Sequence, residues 1–297
     1  MIPSLPFADF IESGSLEAAG PDALSPGDVH LWLGDLRLPA TWLDRCAEVL
    51  DAEEIARRDR FKFERHQRRF QARRGLLRLL LGRYLDRDPA DLVFTYGEQG
   101  KPFLEPPPAD SEGATTQEAA TRAGTIRDAG LGDLTFNISD SSEGLILAFG
   151  RWPRDLGPPP LLGVDLEVRR PMRDAEGMGK RVFSEADRRV WRSLPSSSRD
   201  QAFLLLWTRK EAILKATGQG ILASPRRYSV TLRPGEPARL LAIDGDPRPA
   251  RAWHLLHLGS AHAQIGDGGG DDDASYLGAL AVHGTEPAAV TGFRLRP

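Results

Sequence analysis

Cysteine is almost missing from this chain. Of 297 residues only Cys46 carries a thiol, so no intramolecular disulfide can form and no thiol cluster can cage zinc. The six histidines are scattered, and none stands at zinc-ligand spacing. No run reaches the roughly 18 consecutive apolar residues that a membrane helix needs. The start "MIPSLPFADFIESGSL" also lacks the basic-then-apolar order of a secretory leader. A large excess of one charge is absent too: the formal net charge is −3, which argues against bulk affinity for nucleic acid or membrane. These absences point to a cytoplasmic protein of a reducing compartment that binds neither nucleic acid nor membrane.

What is present can build a sizeable core, since 40% of the residues are hydrophobic. Two stretches read as breaks. Glu105 to Asp133, "EPPPADSEGATTQEAATRAGTIRDAGLGD", has too few large apolar residues to offset its ordering entropy and reads as a mobile insertion. "RWPRDLGPPP", ending at Pro160, reads as a stiff connector, because proline suits neither a helix interior nor a central strand. The expected division is an N-terminal subdomain over 1–151, a Pro-rich linker over 152–160 and a C-terminal subdomain over 161–297. A third polar piece, Gly266 to Ser275, separates the strand-like "AWHLLHL" and "YLGALAV" and reads as a hairpin loop. In the first half "VHLWLGDL" reads as a strand and "LTFNISDSSEGLILAFG" as a hairpin. Between them one long helical pattern runs from Arg57 past Tyr84, with Phe70, Leu77, Leu81 and Tyr84 on one stripe. The second half opens with the strand "LLGVDLEVRR", then shows helices near Ser184 to Leu194 and through "DQAFLLLWTRKEAILKATG". Helices against mostly antiparallel strands, twice over, give an α+β fold.

Within "LLGVDLEVRR", period two puts Leu162, Val164, Leu166 and Val168 on one face and Asp165 and Glu167 on the other, roughly 7 Å apart. That spacing suits a hard cation such as magnesium held with phosphate oxygens and water, although an ordinary solvated strand face explains it as well. In "WTRKEAILKATGQG", Trp207, Glu211 and Lys215 recur every four residues and share a helix face. A solvent-exposed Glu/Lys pair is the plain alternative. Lys210 is rotated about 100° from Glu211 and need not join them. Positive charge concentrates between Arg57 and Arg83, with eleven Lys or Arg against two acids. Arg65, Arg69 and Arg73 recur at i+4, either as a solvated face or as a phosphate cradle, since the guanidinium fork matches phosphate oxygens. Lys101, before Pro102, adds a cation on a rigid extended segment. Carboxylates for a metal beside a basic surface describe a polyanionic phosphate substrate.

"GVDLE", followed some forty residues later by "WTRKEAILKATGQGI", with "GKPF" and "FNISDS" upstream in the same order, resembles the phosphopantetheinyl transferases, in the two-subdomain class typified by the surfactin synthetase activator. The resemblance spans roughly Arg57 to Ile221. It implies two similar α+β subdomains, a pseudo-dimer of small mostly antiparallel sheets with packed helices, and coenzyme A in the cleft between them. It implies that Asp165, Glu167 and Glu211 hold magnesium, or manganese in its place, with Glu211 also the general base. Lys215 would contact the phosphates and assist the leaving group. Arg69, Lys101, Pro102 and Ser139 would belong to the coenzyme site, and Trp207 would pack. The implied reaction is attack by a serine hydroxyl of an apo acyl- or peptidyl-carrier protein on the pantetheine-side phosphorus, releasing adenosine bisphosphate, by a monomeric enzyme.

Two positions depart from the family pattern. Asp140 stands where a histidine is usual, and "FSEAD" offers Asp187 where glutamate is usual; neither is placed in the metal shell. An acid at 140 facing the coenzyme would repel its phosphates. The expected role is local instead, the short side chain accepting backbone hydrogen bonds in an "NISDSSEG" turn. A magnesium-dependent nuclease and a non-catalytic carrier-binding protein remain alternatives. The first predicts salt-dependent nucleic-acid binding, and intact Asp165, Glu167, Glu211 and Lys215 weigh against the second.

Overall fold

The structure is a computed structural model that describes residues 4–13, 16, 19–20, 22–97, 101–105, 134–152, 160–220, 223–259 and 275–295. The expected insertion beyond Glu105, the connector at 153–159 and the loop residues 266–274 lie outside these. Along the chain come β1 (Ser4–Leu5), β2 (Ile11–Ser13), β3 (Val29–Asp35), α1 (Ala40–Glu48), α2 (Ala52–Asp59), α3 (Glu64–Leu85), β4 (Phe94–Tyr96), β5 (Pro102–Leu104), β6 (Leu134–Ser141) and β7 (Gly144–Arg151). The second half adds β8 (Leu161–Val168), α4 (Ala175–Val182), α5 (Glu185–Ser193), α6 (Ser196–Thr217), β9 (Tyr228–Val230), β10 (Leu240–Ile243), β11 (Trp253–Leu258), β12 (Tyr276–His283) and β13 (Val290–Leu295).

The basic stretch is two helices rather than the one that its periodicity predicts. Asp51 and Glu54 form a capping box that starts α2, and the chain turns extended at Phe63 before α3 begins. The turn lets Glu54, buried in α2, reach across to α3. Its two oxygens accept from Arg74 Nε and Arg78 Nε, each at 2.6 Å, while Arg78 Nη2 meets Asp51 at 2.5 Å. A fully buried guanidinium needs such partners. Arg74 and Arg78 are therefore structural and unavailable as a solvated face or a phosphate cradle.

Two sheets organise the molecule, one five-stranded in the order β2-β13-β3-β7-β6 and one four-stranded in the order β1-β11-β12-β8. Pairing is antiparallel except where β1 joins β11 and where β13 lies between β2 and β3. The fold is α+β, as the sequence predicts. The chain ends cross the expected division: β1 enters the sheet of the second half, and β13 enters that of the first. Leu76, Leu77, Leu80, Leu81 and Tyr84 of α3 pack with Trp32, Phe136 and Phe149 on the outer face of the first sheet. Phe203, Leu206 and Ile213 of α6 pack with Ala279 and Ala281 on the second. Between the sheets a third cluster joins Leu31, Leu33 and Ile146 to Leu162, Val164 and Leu280. The result is four layers, helix, sheet, sheet, helix, with both helical layers outermost.

The two sheets also meet edge to edge where β6 lies beside β8, and there no backbone ladder joins them. Side chains do so instead. Asn137 Oδ1 accepts from Val164 N at 3.1 Å, Ser139 Oγ from Leu166 N at 3.2 Å, and Ser141 Oγ from Val168 N at 3.1 Å. Period two aims these three residues of β6 at alternate amides of β8, which would otherwise be orphaned in the interior. Replacing Asn137 with Ala leaves the Val164 amide without an acceptor and is expected to cost about 1–3 kcal/mol. Urea unfolding, with an unchanged slope against denaturant, is the measurement; an unchanged midpoint would mean that water replaces the side chain.

Candidate active site

Strand β8 carries Asp165 and Glu167 on the face turned toward α6, and Gly163 decides how closely that helix approaches. A Cβ at 163 would lie 2.1 Å from the Ala212 carbonyl oxygen and 2.4 Å from the Ala216 amide nitrogen. Only glycine permits this crossing, which brings Glu211 and Lys215 over the strand's acids. Helix α6 then ends at Gly218 in the left-handed region, φ 69°, the usual use of glycine past a helix end.

Around this crossing Lys215 Nζ donates to Asp165 Oδ1 at 2.7 Å and to Ser139 Oγ at 2.6 Å. The Ser139 hydroxyl donates in turn to Asp165 Oδ1 at 3.1 Å. Glu167 is held from two sides, Oε2 accepting from Ser141 Oγ at 2.8 Å and Oε1 from Trp207 Nε1 at 3.0 Å. Trp207 thus does more than the packing the sequence predicts: its N–H fixes a carboxylate. Asp165 Oδ2 is buried and has no hydrogen-bond partner among the described residues. Burial pushes the Asp165 carboxyl up to about 6, against the pull of Lys215. It pushes Glu211 up to about 7, with the Asp165 charge adding to the rise. Among the described residues no three His, Cys, Asp or Glu side chains are arranged to hold a metal ion. The ammonium of Lys215 lies on Asp165 and two donors hold Glu167, so the acids are near neighbours without converging.

Beside them a cavity of about 190 Å³ is lined by Arg73, Lys101, Pro102, Asn137, Glu211 and Lys215, among others. Lys101 Nζ donates to the Ala216 carbonyl at 3.1 Å. Arg69 does not line this cavity; its Nη2 donates to Asp140 Oδ2 at 2.7 Å, and Arg73 Nε lies 2.8 Å from Asp140 Oδ1. Asp140 is therefore not the turn residue the sequence predicts. It sits within β6, and alternation turns its side chain away from Ser139 and Ser141, toward α3. Lys210 stands apart from the cluster, as its rotation predicts. Fully buried, it donates to Asp187 Oδ2 at 2.6 Å and to the Val182 carbonyl at 2.7 Å. Asp187 also closes the capping box of α5, so it is structural. A larger cavity of about 420 Å³ lies between β10 and β11, mostly apolar and distant from these acids.

Comparison with known proteins meets the same residues. The profile of the 4'-phosphopantetheinyl transferase superfamily matches residues 161–267, which include Asp165, Glu167, Glu211 and Lys215. The 4'-phosphopantetheinyl transferase HetI of Nostoc sp. is 37% identical over 231 residues, 78% of this chain and 82% of that one. The chain belongs to the 4'-phosphopantetheinyl transferase family. Two further relatives are less similar. A 4'-phosphopantetheinyl transferase of Bacillus subtilis is 25% identical, with 79% of this chain and 92% of the relative covered. The 4'-phosphopantetheinyl transferase Sfp of Bacillus subtilis is 26% identical, with 53% of this chain and 55% of the relative covered. The protein is thus an enzyme, a phosphopantetheinyl transferase. No helix among the described residues is long and apolar enough to cross a membrane.

Since the transferase raises two carboxyl pKa values above those of the unfolded chain, folding takes up protons between about pH 4 and 7. Stability of the ion-free protein is therefore expected to rise as pH falls from about 8 toward 5, and Glu211→Gln to flatten that slope. Thermal melts of both proteins across this range test the sign. A slope unaltered by the substitution would place the proton uptake elsewhere.

Proposed function

We propose that this transferase moves the phosphopantetheine arm of coenzyme A onto a serine of an apo acyl- or peptidyl-carrier protein, leaving adenosine bisphosphate. The observation that supports this most directly is the meeting of Glu211, Lys215 and Lys101 in one cavity beside Asp165. The serine oxygen forms a bond to the pantetheine-side phosphorus while the bond to the bridging pyrophosphate oxygen breaks. Serine is a weak nucleophile at neutral pH and needs a placed base. Glu211, with its carboxyl at about 7, accepts the hydroxyl proton. Lys215 offsets charge on the departing phosphate, where most of the catalytic gain in phosphoryl transfer arises.

The chemistry of the donor set supports a hard divalent ion, three carboxylates that Lys215, Ser141 and Trp207 hold short of convergence in the ion-free protein. Asp165 Oδ2 is buried without a partner among the described residues, and Glu211 and Glu167 are the nearest further carboxylates on the strand and helix. Asp165, Glu167 and Glu211 would hold magnesium, or manganese in its place. The ion, when bound, supplies positive charge to the pyrophosphate oxygens. In this reading residues up to 151 and from 161 onward form two subdomains that exchange their terminal strands, and the cavity lies between them.

Apo carrier protein incubated with the transferase, magnesium and coenzyme A is expected to gain the mass of the phosphopantetheine arm. No gain with fatty-acid, polyketide or peptide carriers would overturn the proposal. Glu211→Gln is expected to lower turnover by about 100-fold or more while the circular dichroism spectrum is retained; wild-type turnover would remove Glu211 from the mechanism. Trp207→Phe keeps the ring and loses the N–H, so magnesium activation is expected to weaken by about 10- to 100-fold with turnover recovered at high metal. An unchanged activation curve would return Trp207 to a packing role.

A further inference from the structure

Coenzyme A presents anions of two kinds, a pyrophosphate at the reacting centre and a phosphate monoester on the ribose. In the reading above the acids of β8 and α6, with Lys215, serve the first. On the opposite side of the cavity the first half of the chain contributes Arg73, with Arg69 one turn earlier on α3, and these two guanidinium groups already hold an anion. Asp140 presents one oxygen to each, hydrogen-bonded to Arg69 Nη2 at 2.7 Å and in ion-pair contact, without hydrogen-bond alignment, with Arg73 Nε at 2.8 Å. The site is part-exposed rather than sealed, with 30%, 33% and 23% of the Arg69, Arg73 and Asp140 side chains accessible. Helix α3 fixes the two arginines and β6 fixes the acid between them, because Ser139 and Ser141 on either side are tied to β8. A guanidinium pair that bridges two carboxylate oxygens is equally suited to bridge two oxygens of a phosphate.

We propose that Asp140 determines how weakly this enzyme discriminates the ribose-borne phosphate of its coenzyme, its carboxylate occupying the bridging position between Arg69 and Arg73 that two phosphate oxygens would take. The inference rests on the phosphopantetheinyl-transfer reading. A dianionic monoester arriving there must displace the carboxylate or lie against it, and either course cancels part of the attraction of the arginines. The enzyme consequently accepts coenzyme A and 3'-dephospho-coenzyme A with little preference. The effect is carried by the charge of Asp140, so removing that charge while keeping the shape should restore the preference.

Calorimetric titration of both coenzymes, with magnesium, into wild type, Asp140→Asn and Asp140→Ser at low and high salt is the test. Wild type is expected to prefer coenzyme A by less than about tenfold, and both variants to bind coenzyme A on the order of tenfold more tightly at low salt, with the gain shrinking as screening increases. The dephospho form should change by less than about twofold, because it lacks the group that Asp140 opposes. Equal tightening of both coenzymes, or weaker coenzyme A binding in the variants, would overturn the inference, the latter by showing that Asp140 serves to present the arginines. Carrier modification by wild type, with variants that bind as wild type does, would sink the inference and leave the proposed function standing. A wild type that modifies no carrier would remove both.

Discussion

The structure depends on three short side chains spaced two apart on β6. Asn137, Ser139 and Ser141 stand in for the missing partner strand at the edge of β8, and each supplies an oxygen to an amide of that edge, buried at Val164 and Leu166 and part-buried at Val168. A backbone strand in that place would satisfy the same amides and nothing else. A hydroxyl has a proton of its own to give, so Ser139 also donates to Asp165 and Ser141 to Glu167. The interaction that joins the two sheets therefore orients the acids of the site. Any shift of β6 along β8 would break the seam and misplace the carboxylates together.

Helix α6 divides its two lysines between the same two tasks. Lys210 is fully buried and bonded to Asp187 and to the end of α4. Burial lowers its pKa while the Asp187 carboxylate opposes that fall. Losing either partner would leave a charge in the core, the costly case for buried pairs. Lys215, five residues on, is about a third exposed and meets Asp165 at the cavity. The first lysine holds the helix against α4 and α5 and the second lies at the cavity beside Asp165, so the anchoring of one sets the position of the other. The close crossing at Gly163 adds the remaining constraint, since it fixes the height of α6 above β8.

Charge in the first half follows a similar division that composition alone does not reveal. Of the arginines on α3, Arg74 and Arg78 are consumed by Glu54, and Arg69 and Arg73 are shared with Asp140. Part of the basic stretch that looks like an open cationic face is neutralised by acids of α2, its cap and β6. A locally basic sequence is thus compatible with the modest formal net charge of −3.

Much of the molecule was legible in the residues alone. Alternation in "LLGVDLEV" and four-residue recurrence in "WTRKEAILK" set which side chains share a face, because those periods are properties of the backbone. The α+β class followed from the order of such segments, and the α6 terminus from Gly218. What remained hidden were contacts between residues distant in sequence: the Glu54 to Arg78 network that divides the basic segment into α2 and α3, the bond from Trp207 to Glu167, the turn of Asp140 toward Arg69 and Arg73, and the exchange of β1 and β13 between sheets. The hairpin reading of β6 and β7 did not single out Asn137, Ser139 and Ser141 as one polar face, and nothing local says that the partner of that face is the bare edge of β8. Local sequence determines which groups an element presents and on which side. Tertiary structure alone decided what they meet, because buried amides and charges must find partners across the chain once water is excluded.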